Sequence, residues 1–190
     1  MDKEKALKEL EKEMANNRDL PLMEFNLVFG EGDPDTEILF IGEAPGQKED
    51  ELKRPFVGRS GKLLDKMIEL IGLKRNDVYI TNIVKRRPPE NRDPLPEEIE
   101  QYKPYLKRQI EIINPKIIAT LGRFSMNYFL PLAKISRDQG KLFPVDGLYI
   151  YPIFHPAAAL RATAVMKDLE TSFKRLPNAI KKVEELRKQK

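Results

Sequence analysis

The sequence predicts an α/β fold, a single three-layer α/β/α domain built around a four-stranded parallel sheet. The first observation is that predicted strands and helices alternate four times with short links, which is the pattern of a parallel sheet covered on both faces. The second is that the first predicted strand, Ile38–Ile41, is continuously apolar and does not alternate, as in strands buried on both faces. The four predicted strands are 38–41, 78–84, 117–121 and 148–154.

The helices are predicted from apolar residues that recur every three or four positions. An amphipathic helix opens the chain over about residues 3–15, and a helical extension closes it over about 168–189, where Pro177 is expected to kink or divide the helix. Residues 1–190 are expected to form one domain, because this length is enough to bury one core. The intervening helices are predicted at about 63–71, 97–113 and 123–129.

The composition excludes several classes of protein. Hydrophobic residues make up 41% of the chain and charged residues 34%, which is typical of a folded domain and not of a disordered tail. No apolar run approaches the roughly 18 residues of a membrane-spanning helix, and the charged N-terminus does not resemble a secretion signal. We therefore expect a cytoplasmic protein. The formal net charge of +4 permits a polyanionic partner.

The chain has no cysteine and a single histidine, His155. The absence of cysteine rules out disulfides, thiolate metal sites and clusters held by thiolates. One histidine alone also argues against an ordinary zinc or non-haem iron site. We therefore expect no metal and no cofactor.

Polar or glycine-rich residues follow three of the four predicted strands. Gly42–Asp50 follow the first strand, Asn82 lies near the end of the second, and His155 follows the fourth. Ligands of open α/β sheets bind beyond the carboxyl ends of the strands. These residues are therefore predicted to share one cleft.

Glu43 and Asn82 are the first two candidates for chemistry. Glu43 lies in the Gly42–Gly46 turn, which lacks the spacing of a phosphate-binding loop, so a nucleotide hydrolase or transferase is disfavoured. Asn82 interrupts an apolar strand, and a buried amide must find partners. Those partners can be structural. Alternatively, its one acceptor and one donor match the edge of uracil and mismatch cytosine.

Phe56 and His155 are the other two candidates. Phe56 lies in a loop bounded by proline and glycine, where it can cap the core or stack on a base lifted out of a duplex. His155 can be a structural residue, but its place at a strand end, before Pro156 and three alanines, favours contact with another molecule. The following Leu160 and Arg161 can enter a base stack.

Taken in order, these segments resemble family 4 of the uracil-DNA glycosylase superfamily, the thermostable enzymes of archaea and bacteria. The resemblance runs from about Val28 to Asp168, and its motifs are highly specific in this order and spacing. They are 28–32, 42–46 with 49–50, 55–58, 78–85, 87–89 with 91–92, and 155–158 with 160–161.

The resemblance implies a uracil-DNA glycosylase-like fold and a monofunctional enzyme that hydrolyses the N-glycosidic bond of flipped-out uracil, which starts base excision repair. It implies that Glu43 and His155 are catalytic, that Glu49 excludes the methyl group of thymine, and that Leu160 and Arg161 form a wedge in the minor groove. The residues implied to bind uracil are Gly42, Ala44, Glu49, Phe56, Asn82 and His155. Those implied to contact DNA are Ser60, Gly61, Lys85, Arg87, Pro156, Ala157, Leu160 and Arg161.

The implied partner is uracil-containing DNA, single- or double-stranded, bound by a monomer without membrane contact. A sliding clamp or another repair protein stays open as a further partner. Two alternatives to the function also stay open: a catalytically inactive DNA- or uracil-binding paralogue, and a glycosylase with a broader range that includes hypoxanthine and xanthine.

The chain departs from the family pattern at four positions. Family 4 members carry four cysteines that hold a [4Fe–4S] cluster, whereas the matching residues here are Asn17, Leu20, Arg86 and Tyr102. No such cluster can form without those thiolates. We expect packing by Leu20 and Tyr102, with hydrogen bonds from Asn17 and Arg86, to take its place.

Overall fold

A computed structural model describes residues 2–189 of the chain. Its centre is a mixed sheet of six strands in the order β1-β3-β2-β4-β6-β5. The four inner strands pair in parallel, and the two edge strands pair antiparallel to their neighbours. The strands are β1 (Glu31–Gly32), β2 (Ile38–Gly42), β3 (Tyr79–Asn82), β4 (Ile117–Leu121), β5 (Phe143–Val145) and β6 (Leu148–Ile153).

The α/β class is confirmed, but the prediction of a four-stranded, all-parallel sheet is wrong. Both unpredicted strands are short edge strands that leave little pattern in the sequence. β1 has two residues, and a Cβ on Gly32 would lie 1.9 Å from the carbonyl oxygen of Val78, so glycine allows the close approach to β3. β5 contains Pro144, which is compatible with an edge strand because proline cannot donate to a neighbour.

Helices cover both faces of the sheet. Helices α3 and α8 pack on one face and helices α1 and α4 on the other, each over its own apolar cluster. The helices are α1 (Lys3–Asn16), α2 (Gln47–Leu52), α3 (Arg59–Leu70), α4 (Pro96–Ile113), α5 (Arg123–Phe129), α6 (Ile135–Asp138), α7 (Pro156–Ala159) and α8 (Thr163–Lys188). Among residues 2–189, none of the helices is both long and apolar enough to cross a membrane.

The strand β2 explains why two clusters form. Alternate residues of a strand point to opposite faces of the sheet. Phe40 therefore joins the cluster under α3 and α8, where its ring stacks on Phe173 with centroids 5.7 Å apart. Leu39 and Ile41 join the cluster under α1 and α4. All three side chains are buried, as the continuous apolar run predicts.

Helix α8 begins five residues earlier than predicted and runs through Pro177 without a break. Leu169, Phe173, Leu176 and Val183 on this helix are all buried in the cluster it covers. The segment predicted as an extension is therefore part of the core. The predicted first helix agrees with α1, where the side chain of Asp2 accepts a hydrogen bond from the Lys5 backbone N–H at 3.0 Å.

Candidate active site

A cleft of about 630 Å³ lies beyond the carboxyl ends of the parallel strands. It brings together Glu43, Asn82 and His155, which the sequence predicted in one cleft, and Phe56, which the resemblance assigned to the site. Other predicted residues line it as well, together with residues that the sequence did not single out. The predicted ones are Ala44, Glu49, Ser60, Ala157 and Arg161, and the additional ones include Asp93, Arg123, Phe124 and Ile135.

Asn82 ends β3 and is only 2% exposed. Its Oδ1 atom is buried and has no hydrogen-bond partner within residues 2–189. A Cβ on Gly42 would lie 2.5 Å from this oxygen and 2.6 Å from the Phe56 ring, so a larger residue at position 42 would displace both. An N–H donor entering the cleft would supply the missing partner of Asn82.

Phe56 is held in a left-handed backbone conformation, with φ at 49°. This conformation is uncommon for a bulky residue, so the surroundings must fix it. Its ring is buried and lies 5.6 Å, centroid to centroid, from the ring of His155 at an interplanar angle of 30°. The two rings form one wall of the cleft.

Arg75, on a 3-10 turn after α3, stabilises the Phe56 loop through hydrogen bonds to its backbone. Its guanidinium donates to the carbonyl oxygens of Phe56, at 3.0 Å, and of Pro55. It also forms ion pairs with Glu31 and Asp65, both at 2.8 Å. Sequence reasoning missed Arg75, because it lies 19 residues from Phe56 and no local pattern marks it.

Glu49 holds the same loop from the cleft side. Its Oε1 accepts hydrogen bonds from the backbone N–H groups of Val57 and Gly58, each at 2.9 Å. Glu49 therefore stabilises the conformation of the loop and also lines the cleft. Its implied role against thymine stays a prediction.

His155 follows β6 and caps α7. Its Nδ1 accepts a hydrogen bond from the Ala157 backbone N–H at 3.0 Å, so in the neutral ring the proton lies on Nε2. Burial lowers the pKa of His155 to about 4, against an opposing effect of Glu49 and with a smaller contribution from Arg161. At neutral pH the ring is therefore an uncharged donor.

Glu43 is half-buried and lines the same cleft. Burial, together with the negative charge of Asp93, raises the pKa of Glu43 to about 7, against the opposing positive charge of Arg123. Asp93 and Arg123, which both line the cleft, form an ion pair at 3.6 Å. Neither residue was predicted, because Asp93 lies in a loop and Arg123 begins α5, and no local spacing links either residue to Glu43.

Residues 29–179 match the sequence family described as the uracil DNA glycosylase superfamily. The chain belongs to the uracil DNA glycosylase superfamily. A type-4 uracil-DNA glycosylase of Sulfurisphaera tokodaii is 45% identical, over 90% of this chain and 83% of that protein. A type-4 uracil-DNA glycosylase of Archaeoglobus fulgidus is 45% identical, over 83% of this chain and 84% of that protein. A type-4 uracil-DNA glycosylase of Saccharolobus solfataricus is 47% identical, over 82% of this chain and 76% of that protein.

Lys85, which was predicted to contact DNA, is not exposed at the surface in this structure. The side chain is completely buried, and its Nζ donates to Gln109 Oε1 at 2.6 Å and to the Thr81 hydroxyl. Burial holds the pKa of Lys85 well below its usual value. The chain stays inside the fold for four residues after β3, from Ile83 to Arg86, so the Lys85 side chain does not reach the surface.

The remaining predicted DNA contacts differ in how exposed they are. Leu160 and Arg161 of the uracil DNA glycosylase-like chain are exposed beside the cleft. Pro156 and Gly61 are buried, and a Cβ on Gly61 would lie 1.9 Å from the Phe56 carbonyl oxygen, so this glycine serves loop packing. Arg87 is half-buried and donates to Asn91 Oδ1 at 2.7 Å.

The four positions that the resemblance matched to the cluster cysteines of family 4 lie around the segment after α1. Tyr102 is buried and donates to the Pro21 carbonyl oxygen at 2.7 Å, and Leu20 packs in the same cluster. Asn17 donates to the Tyr105 hydroxyl at 2.8 Å, and Arg86 donates to the Phe25 carbonyl oxygen. Within residues 2–189, no three carboxylate or imidazole side chains are grouped to hold a metal ion.

Proposed function

We propose that this protein is a uracil-DNA glycosylase that hydrolyses the N-glycosidic bond of a uracil flipped out of DNA. The observation that carries the proposal is the buried, unpartnered Oδ1 of Asn82 at the base of a cleft walled by Phe56 and His155. The similarity to type-4 uracil-DNA glycosylases supports the same activity.

Asn82 selects the base in this proposal. The N3–H of uracil donates to Oδ1 of Asn82, which removes the unsatisfied acceptor. Cytosine presents a lone pair at N3, so two acceptors would face each other in a site closed to water. Such a mismatch of buried polar groups discriminates strongly between ligands. The ring of Phe56 supplies the stacking surface that an unstacked base requires.

His155 and Glu43 stabilise the two charges that develop as the N-glycosidic bond breaks. The bond between N1 and C1′ breaks with both electrons staying on uracil, so negative charge builds on the base and positive charge on the sugar. The Nε2–H of neutral His155 donates to O2 of the departing base, and a preorganised donor of this kind contributes about 3 kcal/mol or more. The carboxylate of Glu43 orients the water that adds to C1′ and accepts its proton.

The rim of the cleft serves DNA binding. Extruding a nucleotide costs a few kcal/mol, which contacts with the flanking DNA must offset. Leu160 enters the base stack, and Arg161 and Ser60 bind the backbone beside the extruded nucleotide. Glu49 limits the space beside C5 of the base, where thymine carries its methyl group.

We further propose that the enzyme works without an iron–sulfur cluster. The chain has no cysteine, and the four matching side chains do not fit the group. Leu20 has no donor atom, Arg86 is cationic, and Asn17 and Tyr102 are engaged in hydrogen bonds. We also propose that residues 1–190 act as one cytoplasmic domain and as a monomer, on single- or double-stranded DNA.

The test is incubation with an oligonucleotide that carries one uracil, followed by alkali. Strand cleavage at that position is expected, with none for matched oligonucleotides that carry thymine or cytosine. Binding without cleavage would identify an inactive DNA-binding paralogue and contradict the proposal. Cleavage at hypoxanthine or xanthine in parallel oligonucleotides would extend the substrate range without changing the reaction.

A further inference from the structure

The turn between α5 and α6 holds the side chain of Leu132 in a position exposed to solvent. Ala133 N–H donates to the Leu130 carbonyl oxygen at 3.0 Å, which closes a four-residue turn with Pro131 and Leu132 at its centre. The Asn127 side chain donates to the carbonyl oxygens of Leu130 and Ala133, at 3.1 and 3.0 Å. Proline at the first central position fixes the backbone further.

Leu132 at the tip of this turn is 92% exposed, against 59% for Leu52, another exposed leucine. A single exposed leucine is ordinary on a protein surface. A leucine that is held away from the body by a proline and two hydrogen bonds from one asparagine has no packing function in the isolated chain. It therefore fits a contact with another molecule.

The position of the turn indicates which molecule that is. Phe124 on α5 and Ile135 on α6, on either side of the turn, both line the cleft. The turn thus lies along the rim of the cleft, as Leu160 and Arg161 do on the α7 side. A DNA strand whose extruded base occupies the cleft has to pass over this rim.

The charge beside the turn fits the same partner. Lys134 is exposed, and no carboxylate lies within 4 Å of its ammonium group in the part of the chain that the structure describes. The neighbouring Arg137 is paired with Asp138 at 2.7 Å, so Lys134 is the available cation of this segment. An apolar tip with an adjacent free ammonium group suits a sugar or base edge with its phosphate.

We propose that residues 130–134 form a second DNA-binding element, in which Leu132 packs against the duplex beside the extruded nucleotide and Lys134 binds a backbone phosphate. This inference rests on the proposed function, because it takes DNA as the occupant of the rim. Together with Leu160 and Arg161, the turn would contact the duplex on two sides of the cleft.

The test measures binding to a duplex that contains a tetrahydrofuran abasic site, which the enzyme cannot cleave. Leu132→Ser is expected to weaken the affinity about tenfold, because an apolar contact with the duplex is lost. Lys134→Ser is expected to lower the slope of log K against log salt by about 0.9, the value of one phosphate contact. Leu70→Ser and Lys66→Ser, on α3 and outside the cleft lining, are the matched controls and should bind as the wild type does.

The outcomes separate this inference from the proposed function. Unchanged affinity and salt slope in both variants, with normal melting temperatures, would overturn the second DNA contact. So would a change in oligomeric state in Leu132→Ser, since the turn would then be a contact between copies of the chain. If the wild type releases no uracil while duplex binding still depends on Leu132 and Lys134, the DNA contact stands and the proposed function falls.

Discussion

At the scale of single residues, burial drives the two catalytic candidates to their neutral forms. The pKa of His155 is lowered to about 4 and the pKa of Glu43 is raised to about 7, each chiefly because water is excluded from the group. The histidine therefore stays an uncharged donor across the physiological range. The carboxyl group, in contrast, changes its charge near neutral pH.

The rate of uracil release should rise with pH through about 7. Only the ionised form of Glu43 can accept a proton from water, and its fraction grows as the pH rises through its pKa. A single-turnover pH–rate profile should show this rise as an ascending limb. The Glu43→Gln variant should release uracil more slowly, at a rate that does not change with pH over the same range. If the rate of Glu43→Gln still rises with pH over this range, the group whose ionisation controls the rate is not Glu43.

The neighbours of Glu43 should move that limb in opposite directions. Arg123→Ala removes a positive charge that lowers the pKa of Glu43, so the limb should shift to higher pH. Asp93→Asn removes a negative charge that raises this pKa, so the limb should shift to lower pH. The same single-turnover profile measures both shifts. Equal profiles in the two variants would contradict the charge assignment.

At the scale of elements, apolar runs predicted the inner sheet and the candidate cleft, whereas long-range contacts could not be predicted. The four inner strands are continuous runs of buried residues, so Glu43, Asn82 and His155 were recognised by their place at strand ends. β1 is too short to leave a pattern. Arg75 supports Phe56 through contacts between distant segments, which no local spacing records.

Arg75→Ala should weaken both the fold and the site. It leaves the carboxylate of Asp65 and two loop carbonyl groups without this donor, and leaves Glu31 paired with Arg54 alone. The expected loss of unfolding free energy is roughly 2 kcal/mol, below that of a fully buried pair because the ion pairs are partly exposed. Urea unfolding measures it. The rate of uracil release should fall at the same time, since Phe56 loses its support, and unchanged stability and rate would contradict this role.

At the scale of the whole molecule, ordinary side chains join α1 and its following segment to α4. Leu20 and Tyr102 pack there, hydrogen bonds from Asn17 and Tyr102 cross the junction, and Arg86, which follows β3, donates to the segment after α1. The replacement of the family's ligands was predicted from the sequence, but the specific partners Tyr105, Pro21 and Phe25 were not. Those partners depend on how the segments meet in three dimensions.

Stability should therefore be independent of metal. The melting temperature is expected to be the same with and without a chelator, and Tyr102→Phe should cost about 1 kcal/mol for one lost hydrogen bond. Thermal unfolding of the purified protein measures both. Iron-dependent absorbance, or unfolding caused by the chelator, would show that a cluster is present after all.

The central claim is that the buried acceptor of Asn82 reads uracil in this cleft. Its most direct test is the single-turnover rate of uracil release by Asn82→Ala, measured beside the melting temperature of the same variant. We expect the rate to fall about a hundredfold or more, because the base loses its matching partner. The melting temperature should not fall, because removing an unpartnered buried acceptor leaves no group unsatisfied. Release at the wild-type rate by a folded Asn82→Ala variant would contradict the account.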